Sequence, residues 1–163
     1  MRKIIITFLF IGLVNSVCAQ GDYPKDYFIN PLEIPLVLSG TFGELRTNHF
    51  HAGLEIKTQK VEGHKVLASA EGYVSRINVS LWGYGNAIYV THPNGYTTVY
   101  GHLQKFSPKI DAYVRKKQYE KESYTLRLYP KASDLKVEKG EIIALSGNSG
   151  SSGGPHLHYE IID

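Results

Sequence analysis

At 163 residues, with 42% hydrophobic and 20% charged residues, the chain is long enough for one domain with a modest core. A formal charge of +3 gives no basic stripe of the kind that binds nucleic acid, and no strong pull toward a membrane surface. No internal repeat and no low-complexity tract occurs.

The chain begins MRKIIITFLFIGLVNSVCAQ. Arg2 and Lys3 are followed by an apolar run from Ile4 to Val14 and a small-residue end at Val17-Cys18-Ala19, the three-part pattern of a secretory signal peptide. The run is too short to span a bilayer comfortably. Residues 1–19 are expected to be removed, with no transmembrane segment in the mature form. Asn15-Ser16-Val17 match a lipid-anchoring signal before Cys18 poorly. Loss of Arg2 and Lys3 brings the charge to about +1. Loss of Cys18, the one cysteine, excludes a disulfide and restricts any metal site to nitrogen and oxygen ligands. Export implies the periplasm or the cell exterior.

Residues 20–41, rich in proline and aromatics, read as an extended lead-in that packs on the domain surface. Short strands then dominate. KVLASAEGYVSRINVS alternates apolar and polar residues and breaks at Gly72. NAIYVTHPNGYTTVYGHL holds two β-rich runs around Asn94-Gly95, a strong hairpin signal. Residues 107–123 read as a helix inserted between two strands. Ser107 can cap it, Pro108 suits its first position, and Ile110, Tyr113, Val114 and Lys117 share a stripe. YTLRLYP reads as an edge strand ended by Pro130, and EIIALSG and HLHYEII as two closing strands. The expected fold is mainly β: a compact antiparallel β-sheet domain with one helical insertion.

Seven histidines stand at 49, 51, 64, 92, 102, 156 and 158. A zinc site without thiolates needs imidazole and carboxylate, with three protein ligands and a water if it is catalytic. His156 and His158, two apart in a strand, point to one face, with Leu157 and Tyr159 on the other. His51 and Glu55 lie about 13 Å apart on an extended strand, so a bend is needed to unite them, and Gly53 permits one. Either pair alone reads more simply as surface side chains, His156 and His158 on a sheet face and His51 and Glu55 on a solvated turn. The HExxH motif and its glutamate base are absent, which leaves histidine as the natural proton carrier.

Together these pieces resemble the M23 family of zinc metallopeptidases, the lysostaphin/LytM-type peptidoglycan endopeptidases. HAGLE resembles that family's H-x-G-x-D, and VLASAEGYVSRI its V-x-A-x-x-x-G-x-V strand pair. GYGNAIYVTHPNGYTTVYGHL is similar to its G-x-G … T-x-Y-x-H-L stretch, and VEKGEIIALSGNSGSSGGPHLHYEI to its ending at G-P-H-L-H-F-E-I. The four motifs keep the family's order from about Phe42 onward, so residues 42–163 are the expected peptidase domain. The insertion after His102 is longer than in the smallest members.

The resemblance implies that His51, Glu55 and His158 hold Zn2+, with water at the remaining position. It implies that His102 and His156 flank that water and the substrate carbonyl as the catalytic pair, either of them the base. It implies peptide bonds of cell-wall peptidoglycan as substrate. His92 is expected to serve structure at a strand end, His49 and His64 to lie on the surface, and Tyr100 and Tyr159 to pack. The glycines at 147, 150, 153 and 154 are expected to shape the loop before the histidine pair. Members of the family commonly continue past the point matching Asp163, so the resemblance leaves both a whole product and a fragment or truncated product open.

The departure from the family is Glu55 at the aspartate position. One methylene adds roughly 1.5 Å of reach. Glutamate is a competent zinc ligand, so the expectation is an active zinc metalloendopeptidase. The alternative is a catalytically impaired M23-like domain that binds cell wall or regulates a partner, and a third reading is a plain secreted β-domain with coincidental histidines.

Overall fold

The computed structural model describes residues 25–47 and 49–163; the expected signal peptide and the start of the lead-in lie outside the described residues. Eleven strands and one helix follow in order among the described residues: β1 Leu38–Gly40, β2 Leu54–Lys57, β3 Lys65–Leu67, β4 Gly72–Val79, β5 Ala87–Thr91, β6 Thr97–Gly101, β7 Leu103–Phe106, α1 Pro108–Lys121, β8 Leu126–Leu128, β9 Lys136–Val137, β10 Ile142–Ser146 and β11 His156–Ile162. The larger sheet runs β1-β2-β11-β6-β5-β4-β8, with β9 also on β4, and the smaller runs β3-β10-β7. Every strand pairing is antiparallel. The mainly β expectation with a single helix holds.

One apolar cluster joins the two sheets. Ile56, Val74, Ile77, Ile88, Tyr100 and Leu157 come from the larger sheet, and Val66, Leu103 and Ile143 from the smaller. Burial along β4 falls on Val74, Ile77 and Val79 rather than on a strict alternation. The register against β5 shifts between Val74 and Arg76, and this bulge moves the period by one residue. The Asn94-Gly95 turn joins β5 to β6 as the sequence implies, with Gly95 at φ 89°. β8 is the edge strand expected of YTLRLYP.

Three expectations need correction. The lead-in does more than cover the surface: Leu32 is buried in the core and bridges to Val66, and Leu38–Gly40 forms β1. Apolar side chains there had a face of the sheet to complete. Ser107 occupies the cap position of α1, but its side chain makes no capping bond; its backbone carbonyl instead accepts from the Asp111 N–H. The helix is anchored by burial of Ile110 and Val114. His64 is half-buried rather than exposed, because its Nε2–H donates to the Thr58 carbonyl at 3.2 Å.

Candidate metal centre

β2 and β11 lie side by side in the larger sheet, and their register sets Glu55 directly opposite His158. Both side chains therefore leave the sheet on the same face. His51 joins them from just before β2, where the chain bends. Gly53 makes that bend possible. A Cβ there would stand 2.5 Å from the Tyr159 carbonyl oxygen and 2.8 Å from Glu160 Cγ. The H-x-G-x-E spacing thus reflects a backbone approach that only glycine tolerates.

The result is a compact donor set. Glu55 Oε1 lies 2.7 Å from His51 Nε2 and 3.3 Å from His158 Nδ1, and the two nitrogens are 3.4 Å apart. His51, Glu55 and His158 each offer one atom to a common point, all within 4.8 Å of one another. The outer nitrogens are taken up elsewhere. His51 Nδ1–H donates to the Thr41 carbonyl at 2.8 Å, and His158 Nε2–H donates to Glu160 Oε1 at 2.7 Å. Each imidazole is thereby turned to present its other nitrogen inward, the arrangement that orients metal-ligating histidines.

His156 and His102 border the same carboxylate. His156 Nε2 contacts Glu55 Oε2, while its Nδ1–H donates to the Gly154 carbonyl at 2.7 Å. His102 Nδ1–H donates to the Ser149 carbonyl at 2.8 Å, and its ring lies 4.7 Å from that of His156. His102 follows β6 in a left-handed backbone, φ 57°, held by its N–H donating to the Tyr84 carbonyl. Strain of this kind persists where the surroundings fix it, and it aims the ring at the site.

The electrostatics fit a cation. Burial pushes the Glu55 carboxyl up, but hydrogen bonds and charge from His156 and His158 outweigh it and hold the group well below the usual carboxylate range. Burial works against the charged form of His158, yet Glu160 and Glu55 raise it to about 9. Burial opposes the charged form of His156 as well, and Glu55 again prevails to raise it. Burial lowers His102, which stays neutral. Positive charge therefore gathers around an ionised carboxylate when no metal is bound. A divalent cation supplies that charge more compactly, and carboxylate plus imidazole is a zinc donor set. The residues present fit the ion.

Two residues outside the expected set matter. Glu160 follows the period of His156 and His158 along one face of β11, so strand alternation points to it. Tyr84 donates its hydroxyl to Glu160 Oε1 and stacks on the His158 ring at 4.4 Å between centroids. No simple spacing signals that contact. Gly101 of β6 pairs with His158 of β11, and a Cβ there would stand 3.2 Å from His158 Cβ and 3.4 Å from Tyr84 Cβ, so glycine eases the approach of the two rings.

The remaining histidines stay apart. His92 is buried, with Nδ1–H on the Glu71 carbonyl and Nε2 on Thr98 Oγ1, and it serves structure. His49 is exposed beside the site. Tyr100 and Tyr159 pack in the core. Two cavities, of about 400 and 370 Å³, open on either side of Glu55 and share Arg46, His102 and Ser151. A larger one of about 720 Å³ lies beside α1 and has no histidine in its wall.

Comparison with known proteins gives the family and the fold. Residues 49–119 match the family Peptidase_M23, Peptidase family M23. DD-carboxypeptidase/endopeptidase Mpg of Neisseria meningitidis is 33% identical over 116 residues, which is 71% of this chain and 21% of that protein. The chain spans about a fifth of the length of these curated relatives. A zinc containing peptidase from Vibrio cholerae shares the fold at a TM-score of 0.56 and 26% identity, over 78% of this chain and 33% of that one. The catalytic domain of the M23 protein EnpA from Enterococcus faecalis shares it at a TM-score of 0.56 and 23% identity, over 78% and 80%. On these matches, with the carboxylate-histidine cluster in place, the chain belongs to peptidase family M23.

Proposed function

We propose that the protein is an exported zinc metalloendopeptidase that cuts peptide bonds in bacterial cell-wall peptidoglycan, with His51, Glu55 and His158 as zinc ligands and His102 and His156 as the catalytic pair. The observation that carries this reading is the convergence of His51 Nε2, Glu55 Oε1 and His158 Nδ1, each imidazole oriented by an outer hydrogen bond. The relatives named as peptidoglycan DD-endopeptidases and as a zinc containing peptidase support the substrate and the metal. Export rests on the leader pattern of residues 1–19.

When bound, zinc polarises the scissile carbonyl and makes its water more acidic. The chain's own residues do the rest. His102 is the base: burial keeps it neutral, Ser149 holds Nδ1–H, and Nε2 is left with a lone pair facing the site. It takes the proton of the attacking water. His156 is the donor: its Nε2–H rests on Glu55 Oε2 in the structure, and it would turn from that carboxylate to negative charge on the tetrahedral intermediate. The proton held by His102 then passes to the leaving amine. Tyr84, Glu160 and Thr41 act through the ligands they orient and touch no reacting atom.

Glu55 is adequate for this role, because its Oε1 reaches both His51 and His158 without displacing β2 from β11. The test is release of soluble peptides from purified peptidoglycan by the zinc-loaded protein, beside Glu55→Asp. Chelator-sensitive release by the natural sequence is expected. Release by Glu55→Asp alone would instead make the protein a catalytically impaired, cell-wall-binding or regulatory member.

A further inference from the structure

The helix α1 is the part of the chain that the zinc reading leaves unused. Between it and the edge strand β7 runs a groove of about 720 Å³, within the roughly 300–1,000 Å³ of ligand sites. We propose that this groove binds the glycan strand of peptidoglycan, as a sugar-binding site beside the peptidase centre. The inference rests on the cell-wall reading of that centre and adds a second recognition element for the same polymer.

The lining has the chemistry that sugars require. A pyranose ring shows apolar C–H faces and a rim of hydroxyl and acetamido groups. It therefore needs flat aromatic platforms, and side chains that both donate and accept. Phe106 and Val114, both buried, give the groove an apolar floor. Tyr119 and Tyr124 stand beside it with 84% and 69% of their surface exposed, far more than a packing role calls for. Along α1, Asp111, Arg115, Gln118 and Glu122 recur at three- and four-residue spacing, so one polar face of the helix forms a wall. Gln118 Nε2–H donates to the Tyr124 carbonyl at 2.8 Å, which ties the second tyrosine to that wall and leaves Oε1 to accept. Arg115 gives Nε–H to Asp111 Oδ2 at 2.7 Å, which holds the guanidinium while its η nitrogens remain to donate.

Charge selects among the occupants. Lys105 and Arg115 are matched by Asp111 and Glu122, so the groove is close to neutral and exerts no pull on an anionic polymer. The glycan of peptidoglycan is uncharged wherever its lactyl carboxyl is joined to a stem peptide. The free edge of β7 is the feature that suits an extended peptide instead. It spans four residues, Leu103–Phe106, and the Leu103 carbonyl already accepts from Asn86 and Ser149. The groove is also continuous with the centre. Asn86, in its wall, gives its N–H to Ser149 Oγ at 3.0 Å, and the Ser149 carbonyl holds His102. Gln104, in the same wall, lies two residues beyond His102, at most about 7 Å of chain. A stem peptide of a few residues, extended at about 3.3–3.6 Å each, is long enough to cross that step. Holding the glycan thus raises the local concentration of peptide at the centre.

The test is binding of an uncharged probe without stem peptide, a β-1,4-linked tetramer of N-acetylglucosamine. It is measured by calorimetry on the whole chain, with zinc removed and with zinc restored. Saturable binding that zinc does not change is expected, because His51, Glu55 and His158 lie outside the groove. Tyr119→Ala combined with Tyr124→Ala is expected to weaken it by at least about tenfold. Both side chains are exposed, and circular dichroism confirms the fold of the variant. The same double variant is expected to raise KM for intact peptidoglycan while kcat stays unchanged, as does turnover of a cross-linked peptide freed from glycan. No binding of the tetramer by the natural sequence would overturn the proposal. Equal affinity in the double variant, or for an α-1,4-linked tetramer of glucose, would overturn it as well. Tyrosine-dependent binding of the freed peptide in place of the tetramer would give the groove to a peptide and overturn the sugar. Because the probe carries no stem peptide, sugar binding without any peptide release would sink the peptidase reading and leave the groove standing.

Discussion

Glu55 and His158 are cross-strand partners, and the carboxylate of one lies 3.3 Å from Nδ1 of the other. The centre is therefore built into strand pairing. If these atoms hold zinc, His158→Ala abolishes tight binding, and His51→Ala weakens it severely. Metal analysis after dialysis checks both. Near-full zinc in His158→Ala would remove His158 from the ligand set.

Glu160 reaches the ion only through His158. Glu160→Gln is expected to cost roughly 10- to 100-fold in zinc affinity, the usual effect of losing an outer partner. Tyr84→Phe, which removes the hydroxyl and keeps the stacked ring, costs less. The readout is competition with a chelating dye, with circular dichroism to confirm the fold. Unchanged affinity in Glu160→Gln would reduce Glu160 to packing.

If His102 is the base of this reading, it carries proton transfer without being a ligand of the ion held by His51, Glu55 and His158. His102→Asn is expected to lower kcat by about 10²–10⁴-fold while one zinc per chain remains. Retained turnover with full zinc would move the base to His156.

Gly53→Ala sets a methyl against the β11 backbone, 2.5 Å from the Tyr159 carbonyl oxygen. The cost is expected to be about 1–3 kcal/mol of stability, as for other overpacked sites. Zinc binding weakens with it, because β2 must shift away from His158. Urea unfolding with and without zinc measures both effects, and a variant as stable as the parent would contradict the close approach.

His92 supplies a pH dependence of stability away from the metal. Burial lowers its affinity for protons, with Glu71 only partly offsetting this. The unfolded chain then binds more protons than the folded one near its ordinary value of about 6.5. Stability from neutral His92 is complete above about pH 6.5 and is lost as pH falls below it. His92→Gln is expected to flatten the dependence of unfolding free energy on pH between about 7 and 5. Equal slopes in parent and variant would exclude His92 as the source.

Much of this was legible because β structure and the site share one period. His156 and His158 fall on one face with Leu157 and Tyr159 in the core, as alternation requires. Asn94-Gly95 announced its hairpin through the one backbone conformation such a turn permits. Alternation failed along β4, where a bulge adds a residue that spacing cannot reveal. It also could not show that Leu32, far along the chain from Val66, enters the core beside it. Tyr84 was invisible for a related reason: it stacks on His158 from a loop 74 residues earlier in the chain, a contact that only the assembled sheet creates. The left-handed backbone at His102 departs from what its residue type prefers, and only the fold imposes it.

The placement of Glu55 and His158 within paired interior strands has a consequence for how the protein loosens. Strands β2, β11 and β6 are each flanked on both sides by other strands, whereas residues 41–47, 49–50 and 149–155, which help wall the cavities, rest mostly on turns and single bridges. Amide exchange at His158 and Ile56 should therefore require opening of the whole sheet, while the walls exchange through small local excursions. The walls of the cavities can open locally while the donor set on β2 and β11 keeps its geometry.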